Sequence, residues 1–411
     1  MQIGLGKISQ HLILVILFSL PAYLIRFKCG WASFNLVEIL IAALFVFWLC
    51  GKFIDGGLKN AVKKSPFIKD RIYLTSIVLI ISGIVLSFLW NKNYYVGLGI
   101  LKGWFIAPII FSFMFLDSLA KDKDLLNKSL LALFYSGLAV SVLGVFYKLA
   151  GDLTYDSRLR VFYDSPNQLA MYLSPLFVIG LVLFMKEQDL AKKIFYGLGL
   201  LIVGFNIYFS FSCGAWLALA VSVAIVFLLL YRKYFLWMAI SGLVIILILI
   251  ISQAGSIKVG NVFSGGGRSS WDSRVMIWRS AALMVKNNPL MGIGPGNFQE
   301  AYLEYQEFFS PYLEWSSPQP HNLYLAFWLE AGLLGLIGFL LLLAKFFWDN
   351  FKKAINRDRE TALICLGIMI YILLHGLVDT TYWKNDLAVT FWAAAAMNLY
   401  LAQHRRSSSI A

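Results

Sequence analysis

The chain has 411 residues, 60% of them apolar and only 14% charged, with a net charge of +13. Soluble domains average about 45–50% apolar and about 25% charged. A soluble enzyme of two or three domains is therefore excluded, as are a disordered chain and, despite a pI of 9.4, a nucleic-acid-binding protein. A mean hydropathy of +0.73 leaves a polytopic membrane protein, in which excess Lys and Arg belong to cytoplasmic loops.

A helix needs about 20 apolar residues to cross a bilayer. Twelve runs meet or approach that length: 9–25, 33–51, 72–90, 98–119, 129–150, 168–185, 194–212, 215–231, 234–253, 321–344, 361–381 and 387–403. The first is read as an uncleaved span, because it lacks a small-residue cleavage site, contains Pro21 and is followed at once by a second span. An even number of spans puts both termini on one side. Loops on that side hold 22 Lys and Arg, against six in the short loops opposite (Arg26, Lys28, Lys92, Arg158, Arg160, Lys384). This imbalance predicts cytoplasmic termini. It divides the chain into nine spans over 1–253, a large extracytoplasmic loop over 254–320, and three spans with a short cytoplasmic tail over 321–411. The sequence thus predicts an all-α polytopic membrane protein.

The long loop opens on Gly265-Gly266-Gly267. Ser269, Ser270 and Asp272 can cap a helix over about 272–286. Val275, Trp278, Ala282 and Val285 fall on one face, which predicts a helix lying along the membrane surface. Asn287-Asn288-Pro289 ends it. The run from Gly292 to Asn297 reads as a turn. No strand precedes it, and Pro295 breaks the helix that a dinucleotide fingerprint requires. A second helix is expected over about 298–309. The four cysteines, Cys29, Cys50, Cys213 and Cys365, form no CxxC and read as small apolar residues, not as disulfide or zinc partners.

Few ionisable residues fall on the extracytoplasmic side. His11 and His404 lie at cytoplasmic positions and carry no functional expectation. His321 stands where the long loop enters the tenth span, after Pro318-Gln319-Pro320, and the prolines fix the chain's entry. A histidine so placed can take a proton near neutral pH; the structural alternative is a helix-capping or interfacial residue. His375 and Asp379 are four apart on the eleventh span and would share a helix face, either as a functional pair or as packing polar groups. Glu330 lies about 13 Å inside the tenth span at 1.5 Å per residue, and a carboxylate there needs a partner, Lys102 or a backbone group. Five arginines, Arg158, Arg160, Arg268, Arg274 and Arg279, stand on the side where positive charge is disfavoured. Their forks suit an anionic phosphate ligand. The alternative is pairing with Asp156, Asp164, Asp272 and Glu300. No outer-face Asp-x-Asp, HExxH or His/Cys cluster points to a metal, and no GxSxG or Ser-x-x-Lys points to a serine nucleophile.

Several stretches, in order, resemble the O-antigen ligase and polymerase superfamily of bacterial envelope glycosyltransferases. They are Arg160 to Asp164 with Pro166-Asn167; Arg274 to Arg279 with Asn288-Pro289 and Gly292 to Asn297; Pro320-His321-Asn322-Leu323-Tyr324 with Glu330, Gly332 and Gly335; and His375 to Asp379. One departure is visible. Where the family often carries Ser-Arg-Gly, this chain has Ser212-Cys213-Gly214, and Lys102 or Arg158 would have to supply the missing charge. The resemblance implies a GT-C-like architecture and a bacterial inner-membrane location, with the active site facing the periplasm or outside. It implies metal-independent, cofactor-free glycosyl transfer from an undecaprenyl-diphosphate-linked glycan. The acceptor would be a lipid A core in a ligase, or a second lipid-linked glycan in a polymerase, with the carrier tail in a groove open to membrane lipid. By that resemblance His321 is the base, and Arg160, Arg274 and Arg279, with Arg158 and Arg268, bind diphosphate. Asn322 and Tyr324 shape the acceptor site, and Glu330, His375 and Asp379 support it. A transporter of an anionic solute is the competing class; the lack of a repeat and the concentration of polar residues at the outer face weigh against it.

Overall fold

The computed structural model describes residues 2–30, 32–90, 94–231, 240, 270–310, 316–351 and 359–408. The ninth expected span (234–253), apart from Ile240, lies outside the described residues, as do Gly265-Gly266-Gly267, Arg268 and Ser269. The rest is almost entirely helical. In chain order the main helices are α1 (Gln2–Phe18), α2 (Leu36–Ile54), α3 (Arg71–Ser87), α4 (Tyr94–Leu119), α5 (Asp124–Leu149), α6 (Pro166–Lys186), α7 (Leu190–Phe209) and α8 (Cys213–Leu230). They continue as α9 (Ser270–Asn287), α10 (Phe298–Tyr305), α11 (Leu323–Phe351), α12 (Arg359–His375) and α13 (Asn385–Ser408). Seven of the described helices are long and apolar enough to cross a membrane, and the apolar stretches Gly4–Phe18 and Arg71–Ser87 are shorter. The one sheet among the described residues is a hairpin, Arg26–Cys29 against Ala32–Asn35, between α1 and α2.

Local chemistry sets the helix ends. Asn35 and Glu38 form a reciprocal capping box at α2, Asp70 caps α3, and Ser165 followed by Pro166 starts α6. Each satisfies amides that the first helical turn leaves without partners. Small residues let backbones meet inside the bundle. A Cβ on Gly83 of α3 would lie 2.4 Å from both Ala331 O and Gly335 N of α11, and one on Gly338 would lie 2.7 Å from Ser76 O.

Two helices are broken, and each break is answered from elsewhere. In α4 a π-helical turn spans Leu101–Ile106, just before Pro108. Proline has no N–H to return to the preceding turn. Side chains take the carbonyls there: Tyr382 Oη donates to Trp104 O at 2.6 Å, and Asn385 Nδ2 donates to Gly103 O at 3.0 Å. In α11 the helix breaks at Gly332, with φ of 66°. The Gly292–Asn297 turn docks into this break. Ile293 N donates to Leu329 O at 2.7 Å, and Leu333 N donates to Leu290 O at 2.9 Å. A Cβ on Gly292 would fall 2.2 Å from Leu329 O, so only glycine fits.

The extramembrane helices differ in detail from expectation. The buried stripe of α9 is Ser273, Met276, Ile277, Ser280, Ala281 and Met284, while Ala282 is exposed. Of the expected face, Val275, Trp278 and Val285 are half-buried beside that stripe, and Val285 packs against the same core. Small Ser and Ala residues let the helix seat closely on the Gly292–Asn297 turn, α10 and α11, forming a second core with Ile293, Phe298, Tyr302 and Leu329. Burying Met276, Ile277 and Met284 contributes roughly 1.5–3 kcal/mol each. The second helix is shorter than expected and passes into a 3₁₀ turn, Gln306–Phe308.

Candidate active site

Pro320 ends the loop and Asn322 starts α11, with His321 between them at φ of 46°. Asn322 Oδ1 caps the helix, accepting from Tyr324 N and Leu325 N at 3.0 and 2.9 Å. Asn322 Nδ2 donates to Leu377 O, and Tyr324 Oη donates to Leu373 O, so both side chains tie the start of α11 to the end of α12. The carbonyl of His321 accepts from Trp278 Nε1 of α9 at 3.3 Å. A positive φ in a non-glycine residue costs about 1–3 kcal/mol and persists only where the surroundings impose it. Here cap, proline and tryptophan impose it together.

His321 Nδ1 lies 3.1 Å from Asp379 Oδ1. The histidine side chain is 33% exposed and the aspartate 4%. The expected pairing of Asp379 with His375 is not found. Helix α12 ends at His375, and Asp379 lies in the turn beyond it, so helical spacing no longer relates them. His375 is buried, and its Nδ1 meets Tyr371 Oη at 2.9 Å. The ring packs against Gly214, whose missing Cβ would stand 3.3 Å from His375 Cδ2.

Asp379 is the hub. Its carboxylate also accepts from Thr380 N at 2.9 Å and Asn167 Nδ2 at 3.0 Å, and Arg274 lies 3.6 Å away. Burial alone would raise its pKa, but His321 and Arg274 outweigh burial and hold the carboxyl well below the usual carboxylate range. An ionised carboxylate only accepts hydrogen bonds, so His321 Nδ1 donates to Asp379, a geometry that leaves Nε2 as the ring nitrogen facing away from the carboxylate.

Arg274 donates from Nε to Val378 O at 2.8 Å, which aims its fork along the same turn. Arg158 donates to Ser210 O at 2.8 Å and to Asn167 Oδ1 at 2.7 Å, and lies 3.8 Å from Asp156. Burial pulls its guanidinium pKa down from the ordinary value, opposed by Asp156. Asn167 therefore links Arg158 to Asp379. Sequence reasoning gave Asn167 no role, although it stands in the Ser165-Pro166-Asn167 helix start. Arg160 and Arg279 are exposed and form no ion pair among the described residues. Arg279 is five residues past Arg274, about 140° round the helix, so α9 does not present the two together.

Lys102 is not the partner of Glu330. It pairs with Glu38 at 2.7 Å. Glu330 is buried, and its Oε2 accepts from Gly296 N at 3.3 Å, fastening the docked turn. Of the two cations weighed against Cys213, Arg158 is bonded to Ser210 O beside the start of α8, whereas Lys102 is paired with Glu38. Among the described residues no three His, Cys, Asp or Glu side chains are grouped to hold a metal ion.

The site joins His321 to a buried carboxylate, with Arg274 on the same carboxylate and Arg158 linked to it through Asn167. Residues 198–340 match the O-antigen ligase family. The matched segment contains Arg274, Arg279, His321 and Glu330, whereas Arg158, Asn167 and Asp379 lie outside it. Members of the O-antigen ligase and polymerase superfamily are membrane glycosyltransferase-like enzymes acting on lipid-linked glycans and an acceptor. The chain is also similar to an uncharacterized protein of Haemophilus influenzae, 23% identical over 277 residues, covering 62% of this chain and 68% of the relative.

Proposed function

We propose that this protein transfers a glycan from undecaprenyl diphosphate to an acceptor hydroxyl, as a ligase whose acceptor is a lipid A core or similar glycan. The proposal places both termini in the cytoplasm, twelve spans across the bacterial inner membrane, and the site on the outer face. The observation that carries it is the His321–Asp379 pair, with Arg274 on the same carboxylate and Arg158 one amide away. Neutral His321 Nε2 takes the acceptor's hydroxyl proton. The freed oxygen attacks the anomeric carbon, and the bond to the diphosphate breaks with its electron pair on the leaving oxygen. Diphosphate leaves readily without a general acid, provided positive charge meets the developing anion. Arg274, Arg158 and the unpaired Arg160 supply that charge, with Arg279 and Arg268 as further contacts.

The test is incubation of the purified protein with an undecaprenyl-diphosphate glycan and candidate acceptors, with and without a chelator. We expect glycan on the acceptor and free undecaprenyl diphosphate, unchanged by the chelator, because arginines carry the leaving-group charge. Loss of transfer in chelator, restored by added metal, would contradict the mechanism. Extension of one lipid-linked glycan by another would replace ligase by polymerase.

A further inference from the structure

The segment 379–385 has Asp379 at one end and Asn385 at the other, and Asn385 lines a second cavity of about 570 Å³. Arg26, Phe34, Glu38, Tyr95, Lys102 and Trp104 also line it. We infer that this cavity binds an uncharged saccharide unit of the acceptor glycan. The inference rests on the glycosyl-transfer reading above and adds a subsite to it.

The polar part of the cavity is a closed cluster. Glu38 pairs with Lys102 at 2.7 Å and accepts from Asn385 Nδ2 at 3.2 Å, while Trp104 Nε1 donates to Asn385 Oδ1 at 3.2 Å. The Lys102 ammonium also sits 4.1 Å over the Phe34 ring. The Glu38–Lys102 pair cancels its own charge, so the cluster presents hydrogen-bonding groups, and the one further charge in the lining is the exposed Arg26. A phosphate entering here would meet the Glu38 carboxylate, whereas the His321 site offers arginines. A sugar ring suits the cavity better: its C–H faces pack on aromatic rings, and its hydroxyls exchange bonds with a carboxylate and an amide. Such mixed apolar and polar linings are typical of small-ligand sites.

The cluster is also held rigid. It is built on the π-helical turn of α4, a feature that recurs at functional sites. A Cβ on Gly103 would lie 2.4 Å from Glu38 Oε1 and 2.8 Å from Asn385 Nδ2, so these groups close directly onto the bare backbone. Gln319, two residues before His321, reaches Trp383 O at 3.4 Å, two residues before Asn385. One short segment therefore positions both the histidine's carboxylate and the cavity's amide.

Two measurements test the assignment. Saturation-transfer NMR on the purified protein in detergent uses glucose, galactose and N-acetylglucosamine as probes, with glycerol 1-phosphate as the lipid-headgroup control. The transfer assay measures acceptor KM and donor KM separately. The variants are Tyr95→Ala, at an exposed ring, and Glu38→Gln, which keeps a capping-box side chain at α2 but unpairs Lys102. We expect at least one sugar to bind the wild type, and Tyr95→Ala to abolish that signal. Both variants should raise acceptor KM about tenfold with donor KM unchanged. Binding of glycerol 1-phosphate and of no sugar overturns the inference, as does a rise in donor KM with acceptor KM unaltered. Sugar binding that Tyr95→Ala removes, in a wild-type protein that transfers to no acceptor, keeps the saccharide site and removes the glycosyl-transfer reading instead.

Discussion

At the scale of single residues, the site turns on which carboxylate holds which histidine. Replacing His321 with alanine removes the base, and general bases contribute about 10²–10⁴-fold. His321→Ala should therefore lose at least about 10²-fold in transfer rate while inserting and expressing normally; wild-type turnover in that variant removes the mechanism. Arg274 uses Nε on Val378 O and its fork near Asp379, a combination that a lysine's single ammonium cannot reproduce. Losing a hydrogen bond to a charged group costs about 1.5–3 kcal/mol, so Arg274→Lys should weaken donor binding roughly tenfold or more despite its retained charge. Unchanged donor affinity would show that Arg274 acts as charge alone. Asp379 adds a pH signature. Its carboxyl is held below its unfolded value, so its stabilisation is fully present above about pH 4, the unfolded range, and is lost as pH falls toward the folded value. Asp379→Asn should flatten that acid limb of the stability curve, measured by thermal unfolding in detergent between pH 3 and pH 7; an unaltered limb assigns the acid sensitivity elsewhere.

At the scale of elements, much of the architecture is legible in sequence, because apolar run length is a direct reading of membrane thickness. Eleven of the twelve expected runs overlap described helices, and α9 begins and ends within two residues of its expected bounds. What sequence does not show is where a helix stops short and its side chains change partners. Asp379 was assigned to His375 by helical spacing, but α12 ends at His375 and the turn beyond it carries Asp379 to His321. Glu330 needs a partner, Lys102 or a backbone group, and sequence does not choose between them; the turn docked at the Gly332 break supplies the backbone amide of Gly296, while Glu38 of the α2 capping box takes Lys102. Breaks and caps are set by tertiary contacts that no local period records. The close helix contacts are testable. Gly83→Ala would drive a Cβ to 2.4 Å from Ala331 O and Gly335 N, an overpacking cost of roughly 1–3 kcal/mol. Gly4→Ala, at a glycine with open space around it, is the control. The first should lower the melting temperature in detergent and the second should not; equal melting would mean that α3 and α11 can move apart freely.

At the scale of the whole molecule, the positive charge and the site make one argument about orientation. On the proposed twelve-span topology, 22 Lys and Arg fall in loops on the side of the termini, against six in the short loops opposite. The positive-inside rule assigns the richer side to the cytoplasm. On that proposal Arg274 and Arg158 near His321 stand where the rule disfavours them, and the proposed diphosphate ligand would account for them. A lipid-linked glycan presented at the outer face would meet His321, Arg274 and Arg158 without crossing the membrane. Orientation can be read by impermeant maleimide labelling of single cysteines in a background without Cys29, Cys50, Cys213 and Cys365. Glu300→Cys, in α10, should react in intact cells, and Lys123→Cys, between α4 and α5, only after permeabilisation. The reverse pattern would place His321 in the cytoplasm, where the arginines would need another ligand and the proposed transfer would lose its donor.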